Sequence, residues 1–116
     1  MSQFIWNGVE LEVNMGDIDF TEKYEKAFTK MEKEEERLKK VGLNSEFLRG
    51  YFEMFSTLFD DLFGAGTSEK LFEGKRDIQM AEDCYDAFID TAKKDVAEIN
   101  KRRAKKIAKY AVKSRK

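Results

Sequence analysis

Between Ser45 and Phe63 the chain reads SEFLRGYFEMFSTLFDDLF, with Phe47, Leu48, Tyr51, Phe52, Phe55, Leu58, Phe59, Leu62 and Phe63 recurring at steps of three and four. That is helical spacing, and the apolar face it makes is too broad to be covered from one side. Such a helix needs two neighbours, either two other helices or one helix and a hairpin, or else it leaves part of its face open to a partner. Phe52, Phe55, Phe59 and Phe63 are the candidate residues for contact with a partner or a second subunit. A core would need the same four.

The rest of the chain supplies neighbours. In residues 4–13 the pair Asn7-Gly8 suits both centres of a type I′ turn, and Val9, Leu11 and Val13 alternate with Glu10, Glu12 and Asn14. This reads as a β-hairpin with one apolar face. Two strands are marginal in water, so the hairpin either docks on the helices or pairs with another chain. Asp17-Ile18-Asp19 offers an N-cap, with Glu22 three residues beyond Asp19. A first long helix is expected over about 19–41, carrying Phe20, Tyr24, Ala27, Phe28, Met31, Leu38 and Val41 inward, with Gly42 as a positive-φ stop. Asn44 or Ser45 caps the aromatic helix, expected over 45–63. A last helix is expected over 77–112 on a stripe of Ile78, Ala81, Cys84, Tyr85, Phe88, Ile89, Ala92, Val96 and Ile99, because no proline interrupts it. The expected fold is therefore mainly α: a three-helix-type bundle with a short helix at 68–73 and an N-terminal hairpin at 4–13.

The stretch LFGAGTSEKLFEGK, residues 62–75, looks at first like a phosphate cradle. A Walker-type loop needs Gly-Lys-Ser/Thr after a buried strand, but Gly74-Lys75 is followed by Arg76, and Glu69 stands where the first glycine belongs. A dinucleotide fingerprint fails too, since Glu69 also occupies its third glycine and a helix precedes it. The glycines read better as punctuation: Gly64 closes one helix, Thr67 caps the next, and Gly74 ends it. Asp60-Asp61 and the ladder Asp83, Asp86, Asp90 read as surface carboxylates, with nothing in the spacing to make them converge. Cys84 falls on the apolar stripe beside Glu82, Asp83 and Asp86, where a thiolate is disfavoured.

With no histidine and a single cysteine, the chain has no imidazole for a triad and no partner for a disulfide. No catalytic residue, metal site or cofactor is expected. Nor does any run reach the roughly 20 apolar residues of a membrane span. The start MSQFIWNGVE lacks the pattern of a signal peptide, so a cytoplasmic protein without membrane contact is expected.

Charge is strongly separated along the chain. Residues 101–116 hold nine basic residues and no acidic one, leaving 13 basic against all 23 acidic residues elsewhere. Residues 1–100 form one acidic domain, and 101–116 a basic tail, helical or frayed, with Lys101, Arg102, Arg103, Lys105, Lys106 and Lys109 as its candidate contacts. Such a tail attracts polyanions. The acidic body and the lone tail aromatic, Tyr110, weigh against nucleic acid, and the alanine-rich stripe weighs against a membrane. A solvated tail remains, or one that folds against an acidic partner, including the body of another copy.

The segments NGVELEV, DFTEKYEKAF, FDDLFGAGTSEKLFEGKRD and CYDAFID resemble a group of small proteins of phages and prophages of Gram-positive bacteria, encoded near tail genes and similar in size and character to tail assembly chaperones. The resemblance spans roughly residues 4–100. Its most specific part joins Phe59, Asp60, Asp61, Phe63, Gly64, Gly66, Thr67, Lys70, Phe72 and Gly74, and the basic end has no match in it. It implies a non-enzymatic, homo-oligomeric binding protein that keeps a helical tape-measure or other tail protein soluble during assembly. The alternative is a small nucleic-acid-binding or regulatory phage protein acting through the tail.

Overall fold

The computed structural model describes residues 1–114, with side chains described as far as Ala111. The tail residues Arg115 and Lys116, and the side chain of Lys113, lie outside the described residues. In order come β1 (Ser2–Trp6), β2 (Val9–Val13), α1 (Ile18–Leu38), α2 (Ser45–Phe63), α3 (Thr67–Phe72) and α4 (Ile78–Ser114). The mainly helical architecture with an N-terminal hairpin is as the sequence implies.

Asn7 and Gly8 take φ values of 49° and 75°, the turn their sequence favours. The antiparallel register pairs Phe4 with Leu11, Trp6 with Val9 and Ser2 with Val13. One hairpin face therefore carries Phe4, Trp6, Val9, Leu11 and Val13, and that face packs on the chain's own helices. Phe4 stacks on Phe59 and meets Phe88 edge-on at 5.7 Å, while the Asn7 amide donates to the Leu71 carbonyl at 2.7 Å. Docking within the chain is thus the outcome of the two open at the sequence level.

The helices start where their caps place them. Asp17 accepts from the Asp19 N–H, Asn44 from the Phe47 N–H and Asp77 from the Gln79 N–H. α1 stops three residues before the expected 41. Its end tightens into i→i+3 bonds, from Lys40 N–H to the Arg37 carbonyl and from Val41 N–H to the Leu38 carbonyl. Gly42 is not among the positive-φ glycines, so this tightening and not a glycine cap ends the helix.

Ring contacts fix the directions of the helices. Tyr24 meets Phe88 and Phe28 meets Tyr85, so α1 runs antiparallel to α4. Phe55 meets Tyr85 and Phe59 meets Phe88, so α2 and α4 run in the same direction. The segment between them is therefore a return crossover along α2 and not a corner. α3 docks in it by burying Leu71 and Phe72, with Phe72 against Phe52 and Phe59. The core centres on Phe4, Phe59, Phe72 and Phe88, each at most 2% exposed.

Candidate functional site

Of the four phenylalanines proposed for partner contact, the fold removes two. Phe55 and Phe59 are 3% and 0% exposed, enclosed by Tyr51 and Tyr85 and by Phe4, Phe72 and Phe88 respectively. They reach no partner unless the bundle opens. The broad aromatic face meets its need for two-sided cover within the chain: helices cover one side, the hairpin and α3 the other. Phe63 is half-buried against Phe20 and Phe88. Phe52 lies at the edge, half-buried on Phe72.

Phe52 opens onto a groove of about 590 Å³ between the start of α2 and the start of α4. Leu48 and Ile78 join it in the apolar lining, and Arg49 and Arg76 stand among its polar residues. Leu48 is 39% exposed there. A smaller cavity of about 210 Å³ shares Phe52 and Arg76 and adds Phe72 and Lys75, so the apolar strip continues toward α3. The Asp77 carboxylate in the groove wall is taken up as the α4 cap, accepting from the Gln79 and Met80 N–H groups.

A second groove, about 330 Å³, lies between α1, α2 and α4. Met31, Met54 and Phe55 line its apolar part together with Tyr51 and Tyr85, and Glu35, Glu82 and Asp86 supply its charge. The Tyr51 hydroxyl donates to Glu82 at 2.9 Å. Burial, followed by that bond and the neighbouring carboxylates, pushes the Tyr51 phenol up to about 12. Burial with the fields of Tyr24, Glu35 and Asp86 does the same for Tyr85. The groove contains no basic side chain.

The glycine stretch is not a phosphate site. Gly66, at φ 90°, is the N-cap of α3 in place of the expected Thr67, whose hydroxyl turns back to donate to the Gly64 carbonyl at 2.8 Å. The start of α3 is held instead by Asp60 from α2, which accepts from the Ser68 N–H at 2.8 Å and the Ser68 hydroxyl at 3.1 Å. The chain's own carboxylate thus occupies the place an anion would take. One of the two adjacent aspartates is therefore structural, and Asp61 stays exposed beside Lys30.

Among the described residues no group of His, Cys, Asp or Glu is arranged to hold a metal ion. Cys84 is fully buried, and burial pushes its thiol up to about 12, which removes its nucleophilic form at neutral pH. No helix among the described residues is long and apolar enough to cross a membrane.

The basic tail is helical as far as Ser114. α4 passes through residue 100 without a break, and every described side chain of residues 100–111 is exposed, with Ile107 and Tyr110 at 58% and 57%. The domain division at 100 is thus one of charge and exposure, not of chain path. Just before it lies a residue the sequence reading missed. Asp95 is 0% exposed and accepts from the N-terminal ammonium at 2.7 Å, the Met15 N–H at 2.7 Å and the Ser2 hydroxyl at 2.8 Å. Burial by itself would raise its carboxyl, but these bonds and the ammonium charge outweigh it and hold the group below the usual carboxylate range. Its signal was in the spacing: Phe88, Ala92, Asp95 and Ile99 form the inward seam, whereas Val96, assigned to that stripe, is 40% exposed.

A model of a family of unknown function, DUF6673, matches residues 7–116, and the chain belongs to that family. Neither the curated proteins nor the solved structures contain a match.

Proposed function

We propose that the chain is a non-enzymatic, cytoplasmic phage protein of the tail assembly chaperone kind, which self-associates and keeps a helical tape-measure or other tail protein soluble. The observation that carries the reading is the open groove beside Phe52. It is apolar through Leu48, Phe52 and Ile78, sets the cations Arg49 and Arg76 against the carboxylates Glu53 and Asp77, and at about 590 Å³ is large enough for side chains of one amphipathic helix. A partner helix with an apolar stripe between polar flanks fits it. Phe52 keeps its place in the contact set, Phe63 is peripheral, and Leu48 and Ile78 replace Phe55 and Phe59.

Co-expression with a tape-measure segment from the same gene cluster tests this. The wild-type chain is expected to hold the segment in the soluble fraction as a complex, and Leu48→Glu, an exposed change, to abolish the complex while leaving the thermal transition unchanged. The absence of any complex with the wild type sinks the reading.

A second reading, nucleic-acid binding through the tail, is favoured by one observation: Lys101, Arg102, Arg103, Lys105, Lys106 and Lys109 all project from an uncovered helix. It requires binding that falls steeply with salt and vanishes on removal of residues 101–116.

A further inference from the structure

The inward seam of α4 does not stop where the body stops. Phe88, Ala92, Asp95 and Ile99 follow steps of four, three and four, and the same alternation continues through Arg102, Lys106 and Lys109. Up to Asp95 that face is buried; from Arg102 on it is exposed and positive. No ion pair involves these three cations among the described residues.

The acid-lined groove is the converse surface. It offers two tyrosines and three carboxylates, Glu35, Glu82 and Asp86, and contains no cation. An aromatic, negatively charged recess is the environment that attracts a lysine or arginine side chain, through charge and through the faces of the rings. The two surfaces cannot meet within one copy. Arg102 lies about 24 Å beyond Asp86 on the same unbroken helix, and Lys109 farther still.

We propose that the basic end of α4 in one copy seats in the acid-lined groove between α1, α2 and α4 of a second copy. Charge complementarity selects the occupant, since the sequence carries a net of minus ten over residues 1–100 and plus nine over residues 101–116. At 100° per residue, the groove residues Glu82, Tyr85 and Asp86 and the seam Arg102, Lys106, Lys109 point roughly 145° apart around α4. Donor and acceptor surfaces therefore lie on different faces, which makes the contact heterologous. It repeats head to tail instead of closing a two-fold dimer. The inference deepens the self-association in the reading above and rests on that part of it, not on the tape-measure partner.

The test uses sedimentation and light scattering on the full chain with two neutralised variants. The first, Arg102→Gln/Lys106→Gln/Lys109→Gln, keeps the groove and loses the three seam cations. The second, Glu35→Gln/Glu82→Gln/Asp86→Asn, keeps the basic end and loses the acids. The wild type is expected to grow beyond a dimer with concentration and to shrink toward 13.6 kDa as salt is raised. Each variant alone is expected to associate on the order of tenfold more weakly or worse. Mixed, they should form a one-to-one pair that grows no further, because only one intact basic seam and one intact groove remain. Circular dichroism confirms that each is folded. A wild type that stays monomeric at every concentration overturns the inference and leaves tape-measure binding to stand or fall by its own assay. Association that neither variant weakens overturns it while leaving self-association intact. A monomer whose basic end instead binds nucleic acid with steep salt dependence overturns it in favour of the second reading.

Discussion

Two stretches of one helix face make the most instructive comparison in the molecule. From Phe88 to Asp95 the inward seam of α4 is covered by α1, α2 and the hairpin, while from Arg102 to Lys109 the same seam, at the same spacing, faces solvent. The helical backbone is common to both, so helix formation does not distinguish them. What differs is what the side chains meet. Where rings and methyls wait, the seam carries Phe88 and Ala92; where nothing waits, it carries cations. Asp95 stands at the change, a charge accepted into the buried half because three donors were brought to it.

The first way to break the comparison is at Phe88, whose ring is fully buried and meets Phe4, Tyr24, Phe59 and Phe63. Phe88→Ala removes a side chain that meets rings from the hairpin, α1 and α2 together, and is expected to cost about 4 kcal/mol in urea denaturation. Much of the marginal stability of a chain this size rests on such a residue.

Asp95→Ala comes next, at about 2 kcal/mol, because it leaves the Met15 N–H and the Ser2 hydroxyl without their acceptor, while the exposed N-terminal ammonium returns to water. Its pH dependence has a definite sign. The folded carboxyl lies below its ordinary range, so its contribution is complete above the unfolded value near 4 and is lost as pH falls through the folded value. Denaturation midpoints measured from pH 7 downward should show the wild type losing stability in that acid window and Asp95→Ala losing correspondingly less.

Asp95 also marks how far this fold was legible in sequence. The aromatic helix, its caps and the hairpin turn were readable because each depends on local chemistry: Asn44 reaching the Phe47 N–H, or Asn7-Gly8 accepting positive φ. What depended on tertiary partners was not. Reading apolar residues as buried put Val96 on the seam, although the spacing of Phe88, Ala92 and Ile99 pointed to Asp95; what the sequence does not show is the ammonium and backbone N–H across the fold that make a carboxylate acceptable there. The same limit made Phe55 and Phe59 look available: their cover comes from Tyr85, Phe4 and Phe88, and the spacing of α2 says nothing of where those lie. The return path through α3 was equally hidden, because the glycines of residues 64–74 permit a corner or a crossover alike. Asp60 gripping Ser68, with Leu71 and Phe72 buried, is what selects the crossover. Of the candidate surfaces, the basic end was evident from charge alone, whereas the two grooves required the helices to be placed.

At Ile99 the seam is in transition. The side chain is half-buried and faces Gly16, where a Cβ would sit 3.5 Å from its Cδ1. Ile99→Ala is expected to cost between the two extremes, about 1–2 kcal/mol by thermal denaturation, since only part of the side chain leaves a packed environment.

The smallest effect belongs to Lys106. Its seam position is equivalent to that of Phe88, yet its side chain is exposed and makes no ion pair among the described residues. Lys106→Ala exchanges one good helix former for a better one and removes no ion pair among the described residues. Its stability change is expected to stay within about 0.5 kcal/mol when measured at high salt, where pairing between copies is screened. High salt is the condition that isolates the fold. At low salt the same substitution also weakens any association, and linkage would transfer part of that loss to the melting temperature. A loss above about 1 kcal/mol at high salt would mean that the basic half of the seam is covered within the chain, and the contrast drawn from α4 would fail.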